Sequence, residues 1–237
     1  MRADGRRPDE LRPVEILVDY LEQPMGSVLY SQGKTRVLCT ASLDEGVPRW
    51  LRDSGRGWLT AEYSLLPAST GERTQREASA GKQKGRTVEI QRLIGRALRS
   101  VADMEALGER TLWLDCDVLQ ADGGTRCAAI SGAWVAAARA LGRAGLSRAL
   151  PDSVAAVSLG IVDGESLLDL DYSEDSSAKV DLNVVMTGSG RLVEVQATAE
   201  RAPFDRPGLD ELLDLGAAGI DTIRAAQEAA LDAVAAG

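Results

Sequence analysis

Two stretches of this 237-residue chain bring residue types that do chemistry into close spacing. In the first, Gly123-Gly124-Thr125-Arg126 joins an alternating strand pattern (Leu114 to Gln120) to a helical one. Unpaired N–H groups at a helix N-terminus carry partial positive charge, and glycine lets a ligand approach the backbone closely. With a hydroxyl and a guanidinium alongside, the turn suits phosphate or another small anion. The GxxxxGK[ST] spacing of a nucleotide loop is missing, and an ordinary glycine-capped turn is the competing reading of these four residues alone. The second stretch, Asp169 to Asp181, holds five carboxylates in thirteen residues. Like charges this dense cost folding energy unless a cation or a raised pKa relieves them. Asp175 and Asp181 flank a short irregular segment before VDLNVVMT, a spacing that aims both at one point; an acidic surface loop is the alternative.

Composition narrows the chemistry. Histidine is absent, which removes Ser-His-Asp and Cys-His nucleophiles, histidine-ligated zinc and histidine acid–base catalysis. Cys39, Cys116 and Cys127 form no CxxC pair and read as buried free thiols. The net charge is −9, yet Glu72 to Ser100 holds eight basic residues against three acidic. A basic patch on an acidic protein points to a local anionic ligand, with a solvated helix face as the competing reading. No stretch approaches a membrane span, and the N-terminus lacks the apolar run of a signal peptide, so a cytoplasmic protein is expected.

The elements that must position these residues follow from periodicity. Residues 13–19, 27–31 and 34–43 alternate as a β-meander, and Trp58 to Leu66 is a further strand. Residues 67–85 have almost no large apolar side chain and read as a basic loop that orders against an anion or a neighbouring subunit. Helical spacing begins at Arg86 and is expected to run to Leu107-Gly108, with Arg92, Arg96 and Arg99 continuing the basic patch along one face. A second helix starts at Thr125 and reaches about Gly145. After Pro151 the pattern is antiparallel strand with hairpin turns at Asp163-Gly164-Glu165 and Gly188-Ser189-Gly190, closed by an amphipathic helix from Pro207 to Ala235. The halves are residues 1–150 and 151–237.

Taken together, the chain resembles the bacterial RNase PH family, phosphate-dependent exoribonucleases that trim tRNA 3′ ends. Five ordered blocks carry the likeness: Asp4-Gly5-Arg6 with Asp9 to Val14, Gly57 to Tyr63, Gly85 to Arg96, Asp115 to Arg126, and Glu174-Asp175 with Val180 to Thr187. The resemblance implies an α/β fold with mixed sheets and packed helices in two related halves, of the ribosomal protein S5 domain 2-like kind, assembled as a homohexamer, a trimer of dimers. It implies that Arg86, Gly124, Thr125 and Arg126 hold inorganic phosphate, the co-substrate. It also implies that Asp175 and Asp181 serve catalysis and magnesium binding, with proton and metal roles left undivided between them. Arg73, Arg76, Arg92, Arg96 and Arg99 would contact RNA, namely tRNA precursors with 3′ extensions, or the subunit interface. Two positions depart from the family pattern. Ala197 to Arg201 stand where GTAEG is expected, which puts a turn near the substrate path in question, and Cys127 follows GGTR and is expected to face the core. A catalytically inert RNA-binding ring subunit is the rival reading, and a small-molecule phosphate-transfer enzyme a third.

Overall fold

A computed structural model describes residues 2–77, 79, 81–200 and 203–235. The chain builds two sheets. In the first, β1 (Val14–Val18), β2 (Gly26–Gln32) and β3 (Thr35–Glu45) form the antiparallel meander, and β5 (Arg110–Gln120) joins β3 antiparallel. The last strand, β4 (Trp58–Leu65), runs parallel to β5, giving the order β1-β2-β3-β5-β4. A parallel pair needs a crossover, here α1 (Gly85–Arg99) and the single-turn α2 (Met104–Leu107). The second sheet is antiparallel, in the order β7 (Glu165–Leu168), β6 (Val154–Val162), β8 (Val180–Thr187), β9 (Leu192–Ala199). α4 (Tyr172–Ser177) links β7 to β8, and α5 (Arg206–Ala235) closes the chain.

The central element is α3 (Thr125–Arg143), which packs on β2, β3 and β5 on one side and on β6 on the other. A helix covered by two sheets has no polar face, and α3 is buried from Cys127 through Ala137. Its alanines and glycines let both sheets come close. A Cβ on Gly26 would lie 2.1 Å from the Ala136 carbonyl, and one on Gly132 2.8 Å from Cys39 Sγ. β6, apolar but for Ser158, is buried from Val154 through Gly160 on both faces, as a strand between two layers must be. Its Val154 and Ala156 join the core around α3, while Ala155, Val157 and Leu159 join a second core with Leu212, Ile220 and Ile223 of α5. The layers are therefore sheet, helices, sheet, helix. All three cysteines are buried and unpaired, Cys127 included. No helix among the described residues is long and apolar enough to cross a membrane.

Three sequence expectations need correction. The helix beginning at Gly85 stops at Arg99 instead of reaching Leu107, because the Asp103 carboxylate accepts the N–H groups of Glu105 and Ala106 and so starts a separate helix. Asp175 stands on α4 and not on an irregular segment: Asp171 and Glu174 form a reciprocal capping box that nucleates this polar single turn. Ala197 and Ala199 lie within β9 rather than at a turn, and Arg201 falls outside the described residues. In the 67–85 stretch the Glu77 carboxylate accepts the Lys84 N–H at 3.1 Å and the Thr87 hydroxyl at 2.8 Å, which ties the loop to the start of α1.

Candidate active site

The turn between β5 and α3 is held from below by Thr35. Its hydroxyl accepts the Asp122 N–H at 3.0 Å and donates to the Gly123 carbonyl at 2.7 Å. Gly123 and Gly124 both adopt positive φ, 76° and 66°, where a side chain is strained. At Gly123 space forbids one as well, since a Cβ would meet the Leu170 carbonyl oxygen at 2.4 Å. Gly124 is the N-cap of α3 and offers no side chain to the helix, so the first N–H groups stay open to an external acceptor. Thr125 is fixed by the Tyr63 hydroxyl, 2.9 Å from its own. Arg126 lies alongside, hydrogen-bonded to Gln196 and 3.8 Å from Glu89, while Gln196 also donates to Glu89 at 3.1 Å. Arg86, at the first turn of α1, is exposed and makes no hydrogen bond or ion pair among the described residues.

The acidic stretch sorts itself by what each carboxylate touches. Asp169 is buried against Arg12, Glu174 is buried against Arg2, and Asp171 caps α4. Asp175 and Asp181 remain. Asp175 stands on α4, exposed as a residue but with its carboxyl group partly desolvated, and Asp181 is the second residue of β8, opposite Gly160 of β6 and Thr198 of β9. Asn183 Nδ2 lies 3.4 Å from Asp181 Oδ1. Loss of water raises the pKa of both above the usual carboxylate range, and the charge of Asp175 raises Asp181 further. Arg86 and Arg126 act on both in the opposite direction. Two carboxylates and two arginines, carried by α1, α3, α4 and β8, therefore lie within electrostatic reach of one another.

What lies behind this site was not read from the sequence. Arg2, Arg6 and Arg12 are all buried, and their guanidinium groups spend themselves on residues 168–174. The only sequence signal was the coincidence of an arginine-rich N-terminus with surplus carboxylates more than 150 residues on.

Models of the 3′ exoribonuclease family match this chain, domain 1 over residues 10–141 and domain 2 over residues 152–219. The chain belongs to the RNase PH family of 3′ exoribonucleases. It is 59% identical to Ribonuclease PH of Moorella thermoacetica, over 99% of this chain and 96% of that one. To Ribonuclease PH of Bacillus subtilis it is 56% identical, over 94% of each. Among solved structures it is similar to rice (Oryza sativa) Rrp46, with a TM-score of 0.78 at 22% identity, covering 97% of this chain and 100% of that one. It is also similar to the Archaeoglobus fulgidus exosome with RNA bound to the active site, with a TM-score of 0.79 at 25% identity, covering 94% and 91%. RNase PH enzymes use phosphate as co-substrate, which accords with an anion site built from a helix N-terminus and arginines.

The five arginines that the RNase PH resemblance assigns to RNA or an interface do not form one free stripe. Arg73 and Arg76 are exposed on the 67–85 loop, and Arg92 is exposed on α1. Arg96 pairs with Glu194 of β9. Arg99 turns inward, donating to the Leu59 carbonyl at 2.9 Å and lying 4.8 Å from the centre of the Trp58 ring. Arg76 lines a cleft of about 330 Å³ with Glu62, Asp115 and Asp117. There burial and neighbouring carboxylates raise Asp115, and burial raises Asp117 against the opposing charge of Arg76.

Magnesium fits the acidic pair by donor chemistry. The described residues contain no cluster of three or more protein ligands, but this cation keeps several waters and is commonly held by one or two carboxylates together with substrate phosphates. Two crowded carboxylates, each with its pKa raised, are such a donor set.

Proposed function

We propose that this chain is a phosphorolytic 3′→5′ exoribonuclease that trims the 3′ ends of tRNA precursors and releases nucleoside 5′-diphosphates. The observation that carries the reading is the shared charge site, where Arg86, Arg126 and the open N-terminus of α3 face Asp175 and Asp181. The Gly124–Thr125 backbone and the two guanidinium groups hold inorganic phosphate. Binding there supplies proximity and offsets the repulsion between two phosphates. An oxygen of the bound phosphate attacks the phosphorus of the terminal phosphodiester, the bond to the preceding ribose O3′ breaks, and that oxygen takes up a proton. Asp175 and Asp181, whose raised proton affinity suits them to it, handle this proton as a pair. Magnesium, when bound by the same pair, supplies charge neutralisation. A phosphodiester bond is exchanged for a phosphoanhydride bond of comparable free energy, so the reaction is reversible.

In this reading residues 1–150 supply the anion grip and residues 151–237 the acidic pair. The protein works in the cytoplasm as a homohexamer, a trimer of dimers. Supporting assembly, the face of the first sheet turned away from α1 and α3 leaves Leu17 and Trp113 exposed. The inert ring-subunit alternative loses ground because the active-site residues are all present and the 56–59% identical relatives are named Ribonuclease PH.

Release of nucleoside diphosphate from a short RNA should require added phosphate. Arg126→Ala and Arg86→Ala should each raise the phosphate concentration for half-maximal rate by about 10- to 100-fold, as expected for a lost charge-assisted hydrogen bond, with RNA affinity little changed. Equal losses of RNA affinity with an unaltered phosphate requirement would place the anion elsewhere.

A further inference from the structure

The anion-binding turn and the acidic pair stand on different halves of the chain, and the segment from Arg2 to Arg12 joins them. The Arg12 backbone N–H and its Nε donate to Asp169 Oδ2 at 2.8 and 2.9 Å, and its Nη2 donates to Oδ1 at 2.6 Å. The same guanidinium reaches the other way, Nη1 to the Asp122 carbonyl and Nη2 to the Gly123 carbonyl at 3.5 Å. One buried side chain thus links the turn to the residue that begins the approach to α4. That residue is itself constrained. Asp169 is a non-glycine at φ 54°, its N–H donating to the Ser158 carbonyl at 2.7 Å, a conformation that persists only where the surroundings over-determine it.

Arg2 repeats the arrangement further along. Its Nε and Nη2 donate to the two Glu174 oxygens at 2.7 Å each, Nη1 donates to the Leu168 carbonyl at 2.8 Å, and Nη2 to the Asp169 carbonyl at 2.9 Å. Glu174 is the chain neighbour of Asp175. Between the two arginines, Gly123 rests directly on the Leu170–Asp171 backbone, so any slip of the strap is felt as a shift of turn against helix.

We propose that Arg12 and Arg2 are positioning residues that set the distance between the bound phosphate and the acidic pair. This inference rests on the phosphorolytic reading of the site. Both side chains are buried and hydrogen-bonded to protein groups, and each works through what it holds. Arg12 holds both the turn and Asp169, so its loss should weaken phosphate binding and slow the chemistry. Arg2 holds the α4 side and the Arg7 and Glu10 carbonyls of its own segment but makes no hydrogen bond to the turn, so its loss should slow the chemistry alone. A displacement of about 1 Å in a reacting group costs on the order of 10²-fold in rate.

The test is phosphate-titrated RNA trimming by wild type, Arg12→Gln, Arg12→Lys and Arg2→Gln, each assayed well below its own melting temperature. Phosphate affinity is measured separately from the rise of that temperature with added phosphate. Arg12→Gln should show phosphate affinity weakened about 10-fold and kcat reduced about 10²-fold, with RNA affinity held within about twofold. Arg12→Lys should recover part of the loss, since one ammonium keeps the charge beside Asp169 but cannot span carboxylate and carbonyls together. It also carries the comparison if Arg12→Gln fails to fold. Arg2→Gln should lose kcat with phosphate affinity unchanged. Variants that melt earlier yet match wild type in kcat and phosphate affinity would reduce the strap to a purely structural clamp and overturn the proposal. A wild type that binds phosphate without releasing diphosphate would remove the phosphorolytic reading, while the melting data still decide whether Arg12 sets the turn.

Discussion

At the residue scale, the site is a balance of charges that each tolerate folding only because of the others. Asp175 and Asp181 have their pKa values raised, chiefly by lost solvation. A carboxyl group whose folded-state pKa lies above its unfolded value costs stability wherever it is ionised. That cost is fully present above the folded-state pKa and disappears as pH falls below the unfolded one. Asp181→Asn should therefore raise the melting temperature at pH 7.5 in metal-free buffer, and the gain should shrink as pH is lowered through the carboxylate range. The same variant should lose roughly 10²- to 10⁴-fold in trimming rate, the contribution of a positioned acid or base. A less stable variant at neutral pH would contradict the raised pKa of Asp181, and a near-wild-type rate would take this acid out of the mechanism. That the chain turns at Gly124 and opens a helix at Thr125 was legible because turn chemistry and helix starts are local properties. Arg12 was not, because its partner Asp169 lies 157 residues away, and no local pattern distinguishes a buried arginine from a solvated one.

At the element scale, the site depends on how closely α3 is held between the sheets. Gly26 of β2 faces the Ala136 carbonyl with no room for a methyl group, so Gly26→Ala should cost about 3 kcal/mol, the upper end of typical overpacking penalties. Gly142, near the end of α3, has nothing closer than Ser147 Oγ at 3.9 Å. There the same change should gain about 0.5–1 kcal/mol from helix propensity and reduced chain entropy. Urea unfolding of the two variants checks the contrast; equal midpoints would mean that β2 and α3 are not in close backbone contact. Strands and long helices announced themselves through periods of two and 3.6, as in β4 and α5. The break after Arg99 and the short helix α4 did not, since both are made by aspartate side chains capping segments of four and six residues, too short for hydrophobic periodicity to carry a signal.

At the scale of the whole molecule, an acidic protein must still bring a polyanion to its site. Arg73 and Arg76 are, with Lys82 and Lys84, exposed cations of the 67–85 loop, and their expected partner is either the RNA backbone or a neighbouring subunit. If they meet phosphates, replacing both with alanine should flatten the dependence of RNA affinity on salt, by about 0.7 in log–log slope per contact for a single strand. If they serve assembly, the slope should hold while sedimentation shifts toward smaller species than the wild type forms. The sequence marked this loop by composition alone, and it could not reveal that Arg96 and Arg99 are committed to Glu194 and Trp58, because those partners belong to other elements. The claim on which all three scales converge is that bound phosphate, and not water, breaks the terminal phosphodiester. Incubating an RNA bearing a 3′ extension with radiolabelled inorganic phosphate tests it directly. We expect the label in the β-phosphate of the released nucleoside 5′-diphosphate; unlabelled nucleoside monophosphate, released at a rate indifferent to phosphate, would contradict it.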